Sequence, residues 1–281
     1  MKSSGVENRP SVTRRQLLLA SAGVVGAAAA GAVAWPHLPG RLKGLVTPEP
    51  DPYIPDAAEG QVSLETVFSR ERGTDVELFT AVPHGYGDGA GLPVVVVLHG
   101  ASATPALYQD FGLPRFLTAA VDAGARPFVL AGASGGLLRW EPQASGDNPQ
   151  AMVLHEMPKW LADRGFDADR RAVWGWSMGG YGALRLAEVD PNWGRATAAF
   201  SPAISSGDEV FADDAELVGH PLGLWCGTDD SFFDAVSELA ETMPTAPDIA
   251  SFSPGGHTRV YWNDQTVEAL TFLASHLGKD Q

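Results

Sequence analysis

The segment Gly175-Trp176-Ser177-Met178-Gly179-Gly180 follows the apolar run Ala172-Val173-Trp174 and opens a stretch with helical spacing. A serine with glycines two residues before and two after it fits a sharp reversal between a strand and a helix. The glycines let neighbouring backbone approach, and the serine is left exposed at the strand's end. An elbow of this kind sits in folds that alternate strands with helices. The pattern alone is weak, because with 32 glycines in 281 residues it would recur by chance roughly 0.2 times. Gly132-Ala133-Ser134-Gly135-Gly136 matches it too. Context separates the two. Ala183, Leu184 and Ala187 continue Ser177 at helical spacing, whereas Ser134 runs quickly into Trp140-Glu141-Pro142. Ser134 therefore reads as a loop serine ending a strand at Phe128 to Ala131, and Ser177 as the candidate nucleophile.

From residue 61 the remaining chain supplies the alternation. Val62 to Phe68 and Val76 to Val82 read as two strands joined by a glycine-containing turn, an antiparallel start. Pro93 to Leu98 is almost wholly aliphatic, as expected of a strand buried on both faces. Helix patterns are expected over Leu107 to Ala120, over Met152 to Asp163 (started or kinked by Pro158), after Ser177, over Phe232 to Thr242 and near Val267 to His276. Strands are expected at Ala196 to Phe200, Leu222 to Cys226 and Ile249 to Ser253. This order implies an α/β fold: a mainly parallel central sheet with an antiparallel start and helices on both faces. Ligands bind such sheets beyond the carboxyl ends of the strands, where Ser177 falls.

An activated serine needs a base, an acid to orient the base, and two N–H donors for the oxyanion. In α/β-hydrolases the chain order is serine, acid, histidine. His257 follows Pro254-Gly255-Gly256 just beyond a strand and is the candidate base, while His276 closes a helix and His220 precedes the acid loop. That loop, Gly227-Thr228-Asp229-Asp230, resembles the usual G-x-x-D spacing, which favours Asp230 over Asp229; the loser would cap the next helix. The donors expected are the N–H of Met178 and the N–H of Ala101, in the turn Leu98-His99-Gly100-Ala101-Ser102. His99, in that turn, reads as a structural hydrogen-bonding residue.

With these elements assembled, the chain resembles the secreted Putative esterase family of the α/β-hydrolases, which includes S-formylglutathione hydrolases, feruloyl esterases and mycolyltransferases. The resemblance rests on Gly175 to Leu184, on Cys226-Gly227-Thr228-Asp229-Asp230, and on Gly255-Gly256-His257-Thr258 with Tyr261-Trp262 behind it. It covers roughly residues 61 to 277, and it implies the α/β-hydrolase fold and a serine mechanism. A carboxylesterase acting on small or solvent-accessible acyl esters is the leading expectation. An acyltransferase using a sugar or lipid alcohol, and a non-catalytic exported binding protein, are the alternatives. The polar segment Ser205 to Gly219 is short where larger hydrolases build a lid. Trp140, Trp176, Trp262 and Tyr181 are candidates to line the cleft.

Residues 1–34 read as a targeting segment. Thr13-Arg14-Arg15-Gln16-Leu17-Leu18 resembles a twin-arginine export motif, an uncharged run follows to Ala34, and Ala32-Val33-Ala34 offers a cleavage site. Without cleavage the run would just span a bilayer, which is the only membrane contact expected. Residues 35–58 read as a linker or N-terminal arm and 59–281 as one catalytic domain. With 19 basic against 34 acidic residues, a net charge of -15, no nucleic-acid ligand is expected. A lone cysteine, Cys226, permits no internal disulfide and reads as a buried strand residue. No cofactor and no metal are expected: His155-Glu156 lacks a second histidine at metalloprotease spacing, and no G-x-G-x-x-G loop follows the first strand.

Overall fold

The computed structural model describes residues 50–278. The expected targeting segment and most of the expected arm lie outside them. Residues 50–58 are irregular. They are held by Asn263 Nδ2, which donates to the Tyr53 carbonyl at 2.7 Å, and by Arg115, which reaches the Ala57 carbonyl and Asp56.

Eight strands form one sheet in the order β1-β2-β4-β3-β5-β6-β7-β8. These are β1 (Glu59–Ser69), β2 (Thr74–Pro83), β3 (Pro93–Leu98), β4 (Val129–Ala133), β5 (Asp167–Trp176), β6 (Thr197–Phe200), β7 (Leu222–Gly227) and β8 (Ile249–Ser253). β2 pairs antiparallel with both β1 and β4, and every other pairing is parallel. Among the described residues five helices of six residues or more complete the frame: α1 (Leu113–Asp122), α2 (Met157–Ala162), α3 (Met178–Val189), α4 (Phe233–Thr242) and α5 (Arg259–His276). The α/β architecture with an antiparallel start is as the sequence implies.

The sheet is covered on both faces because its strands are apolar on both. In β3, Val95 and Val97 join one cluster with Phe116, Trp174 and Leu273, while Val94 and Val96 join another with Met157, Val173 and Ala183. Each such side chain withdrawn from water contributes roughly 1.5–3 kcal/mol. Residues that alternate in sequence point to opposite faces, so an unbroken valine run needs two covers.

Three helices differ from expectation. The helix expected over Leu107 to Ala120 begins only at Leu113. Before it lies a short 3₁₀ turn, Pro105–Leu107, and then Gly112 at φ 80°, a conformation that breaks a helix and suits glycine. The segment around Pro158 is continuous in direction but not in winding. Met157 N–H donates to the Met152 carbonyl five residues back, forming a π turn over Met152–Glu156. Pro158 has no N–H for the regular ladder, and the wider turn accommodates it. The last helix starts at Arg259, eight residues earlier than expected. Its first turns bury Tyr261, Asn263 and Thr266, a mixed polar set that hides the amphipathic stripe.

Candidate active site

The elbow is built where β5 ends and α3 begins. Ser177 has φ 56° and ψ −122°, a sparsely populated conformation for a residue with a side chain. Three backbone bonds hold it there. Ser177 N–H donates to the Phe200 carbonyl (2.9 Å), and the Ser177 carbonyl accepts from Tyr181 (3.1 Å) and Ala203 (3.0 Å). The two glycines are required by contact. A Cβ on Gly175 would lie 2.1 Å from the Gly179 carbonyl oxygen, and one on Gly179 would lie 1.9 Å from the Leu98 carbonyl oxygen.

The loops after β7 and β8 are tied together. Thr228 N–H donates to the Ser253 carbonyl, and Asp229 N–H to the Gly255 carbonyl, both at 2.9 Å. This pairing brings Asp230 under His257. His257 Nδ1 donates to Asp230 Oδ2 at 2.8 Å, leaving Nε2 to accept from Ser177 Oγ at 2.8 Å. The Asp230 side chain is fully buried, and that of His257 is 28% exposed, so the base faces the cleft while its partner does not. Burial pushes the Asp230 carboxyl up. Hydrogen bonds from His257, the Phe232 N–H and Ser201 outweigh it and leave the group below the usual carboxylate range. The imidazole is also wedged between two aromatic rings, Phe232 at 5.1 Å and Trp262 at 4.9 Å between centroids.

Ser177 and His257 open on a cavity of about 330 Å³, walled by Gly100, Ala101, Ser102, Trp176, Thr258, Arg259 and Trp262. Ala101 thus lies in the wall beside Ser177, and Met178 starts α3 directly after it. Neither N–H donates to a backbone carbonyl among the loop and cap bonds of the described residues.

A hydrogen-bonded serine, histidine and aspartate in this chain order, on this sheet, characterise a serine hydrolase. The family model described as Putative esterase matches residues 69–245, well over half of the chain.

The chain belongs to the Putative esterase family.

This esterase is a carboxylic ester hydrolase. Solved structures give the same fold at low identity. A ferulic acid esterase is 19% identical with a TM-score of 0.69, over 79% of this chain and 100% of its own. The S-formylglutathione hydrolase of Agrobacterium tumefaciens is 16% identical with a TM-score of 0.65, over 80% and 98%. A CE1 ferulic acid esterase of Anaeromyces mucronatus, in complex with ferulic acid, is 17% identical with a TM-score of 0.63, over 82% and 96%. No curated protein matches the chain in sequence.

The other candidates of the esterase fall elsewhere. Asp229 is exposed, one residue from the buried Asp230. Ser134 follows β4, where its N–H donates to the Glu77 carbonyl and its own carbonyl accepts from Arg72. His99 is buried with Nδ1 on the Gly100 carbonyl (2.9 Å) and Nε2 accepting from Gly135 N–H (3.0 Å). It organises the turn that carries Ala101, and burial lowers its pKa. His220 bonds Thr197 Oγ1 at the amino ends of the strands, and His276 bonds the Phe272 carbonyl in the last turn of α5. Cys226 is buried, and its thiol is pushed up to about 12, first by burial. Of the four aromatic candidates, Trp176 and Trp262 line the cleft. Trp140 is enclosed, with Nε1 on the His99 carbonyl, and Tyr181 is buried against Glu141.

The segment after β6 is pinned down by Arg185 of α3, which pairs with Glu209 (3.0 Å) and Asp213 (2.8 Å). Among the described residues no group of three His, Cys, Asp or Glu side chains could hold a metal ion, and no helix is long and apolar enough to cross a membrane.

One residue escaped the sequence reading. Ser201, fully buried at φ 42°, follows β6. Its hydroxyl accepts from Trp262 Nε1 (2.9 Å) and helps to keep the Asp230 carboxyl below its usual range. A single serine after a strand has no spacing signature, so only the folded chain reveals it.

Proposed function

We propose that the protein is an exported serine carboxylesterase that works through a covalent acyl-serine. Ser177 Oγ attacks the ester carbonyl while His257 Nε2 takes its proton. Asp230 holds the tautomer of His257 and stabilises the imidazolium that forms. The oxyanion is bound by the N–H groups of Met178 and Ala101. His257 then returns the proton to the departing alcohol, and water repeats the sequence in reverse on the acyl-serine. The observation that carries this reading is the pair of 2.8 Å bonds linking Ser177, His257 and Asp230.

The acyl groups are small or reach out to solvent. The cleft holds about 330 Å³, and the short segment after β6 is fastened to α3 instead of arching as a lid. The names of the structural neighbours, a ferulic acid esterase and an S-formylglutathione hydrolase, also indicate compact acyl groups. Export is supported by the Arg14-Arg15 motif and the apolar run that follows it.

Hydrolysis of nitrophenyl esters of graded chain length tests the reading. Short esters should turn over fastest, and Ser177→Ala should reduce kcat/KM on the order of 10³-fold or more with the fold intact. Full activity in Ser177→Ala would refute it. Added sugar or lipid alcohols should not divert the acyl group; diversion would make the enzyme an acyltransferase. Fractionation of cells carrying Arg14→Lys with Arg15→Lys tests export, which should fail in that variant.

A further inference from the structure

Arg259 is two residues beyond His257 and shares the wall of the cleft with it. It also lines a small apolar slot of about 20 Å³, together with Phe111, Phe116, Trp174, Trp176 and Trp262. Its guanidinium lies over the Phe111 ring at 4.0 Å. The one hydrogen bond it makes, from Nη2 to the Phe111 carbonyl, is 3.5 Å long. Nε is buried with no partner. No carboxylate lies within ion-pair distance of it among the described residues, and Asp110 acts on it only through space.

This is an unusual place to leave a cation unpaired. The chain has 34 acidic residues against 19 basic ones, so acids are not scarce, and Arg72, Arg115, Arg164, Arg170 and Arg185 each have one. Withdrawing a guanidinium from water costs free energy unless an anion and hydrogen bonds compensate it. Burial accordingly lowers the Arg259 pKa. Among the described residues, Arg259 and His257 are the only titratable side chains in the cleft wall, and Asp230 is hidden behind His257. An anion entering the cleft therefore meets the Arg259 charge and no opposing carboxylate. Arg259 is also the first residue of α5, whose positive end adds to its charge.

We propose that Arg259 is the anion-recognition residue of this cleft, and that the preferred substrates are esters carrying a carboxylate a few atoms from the scissile bond. The guanidinium takes that carboxylate in two parallel N–H···O bonds, with the long Nη2 contact to the Phe111 carbonyl as the protein bond it competes with. The inference rests on the serine-esterase reading, because it places the ester over Ser177.

Two matched pairs of esters test it. In the first, nitrophenyl hemiglutarate is compared with nitrophenyl valerate, so the carboxylate is in the acyl part. In the second, para-acetoxybenzoate is compared with phenyl acetate, so the carboxylate is on the leaving group. In at least one pair the wild type should favour the acid in kcat/KM. Arg259→Met should lower that acid-to-neutral ratio about tenfold or more, the size of a charged hydrogen-bonded contact. Arg259→Lys should restore part of it, keeping the charge and losing the fork. A wild-type ratio at or below one in both pairs would overturn the proposal, and it decides the matter even if Arg259→Met does not fold. An unchanged ratio in a folded Arg259→Met would overturn it too, reducing Arg259 to a clamp on Phe111. Failure of the wild type to cleave any of the four esters would overturn the serine-esterase reading as well. Cleavage of the neutral esters alone overturns only the role of Arg259.

Discussion

Trp262 Nε1 donates to Ser201 Oγ at 2.9 Å, and the same hydroxyl helps to hold down the pKa of the carboxylate that orients His257. The Trp262 ring stands against that imidazole at 87°. One aromatic side chain thus touches the base directly and supports its acid through Ser201. Ser201→Ala removes the middle of this relay while keeping the Cβ. It should lower kcat about tenfold, the size of a polar contact that steadies a charged group, and leave KM nearly unchanged. Steady-state kinetics on one short ester gives both numbers. An unchanged kcat would show that Asp230 is held well enough by His257 and the Phe232 N–H alone.

Much of the site was legible because its parts fall at one kind of place. Ser177, Asp230 and His257 each follow a strand with glycines beside it, and parallel strands carry such points to one edge. Those strands were readable from their apolar runs, as in Pro93 to Leu98. What escaped was set by contacts between distant residues. Gly112 breaks an apolar spacing that continues on both sides of it. The first turns of α5 are hidden because Asn263 and Thr266 are buried although polar. Ser201 carries no local pattern, and its role appears only when β6, β7 and α5 meet.

Gly179→Ala should be among the most harmful single-atom changes in the fold. The added Cβ would fall 1.9 Å from the Leu98 carbonyl oxygen, backbone that cannot rotate away. Overpacking against fixed backbone should cost about 3 kcal/mol or more, read as a drop in the denaturant midpoint with an unchanged slope. A variant with wild-type stability would mean that the turn at β3 is loose.

Asp230 should tie stability to pH in the acid range. Its folded pKa lies below the ordinary value, so the unfolded chain takes up a proton there more readily than the native one. The resulting stabilisation is complete above the unfolded pKa, near 4, and is lost as pH falls through the folded value. Asp230→Asn removes this contribution. Between about pH 6 and pH 3 the wild type should therefore lose more stability than the variant, as measured by denaturant unfolding at both pH values. Equal losses would contradict the depressed pKa.

The neighbouring aspartates should differ sharply in activity. Asp230→Asn leaves His257 without its anionic partner and should cut kcat by a factor on the order of 10⁴. Asp229 is exposed and makes no bond to His257, so Asp229→Asn should change kcat little. Comparable losses in the two variants would mean that the acid loop acts as a whole.

The claim that Ser177 is the activated nucleophile is tested most directly by mass spectrometry after a fluorophosphonate probe. The wild type should gain one adduct, on the peptide containing Ser177. Ser134→Ala should label like the wild type, Ser177→Ala should not label, and His257→Ala should label on the order of 10³-fold more slowly. An adduct on Ser134, or an esterase that is active yet takes no label at Ser177, would contradict the account.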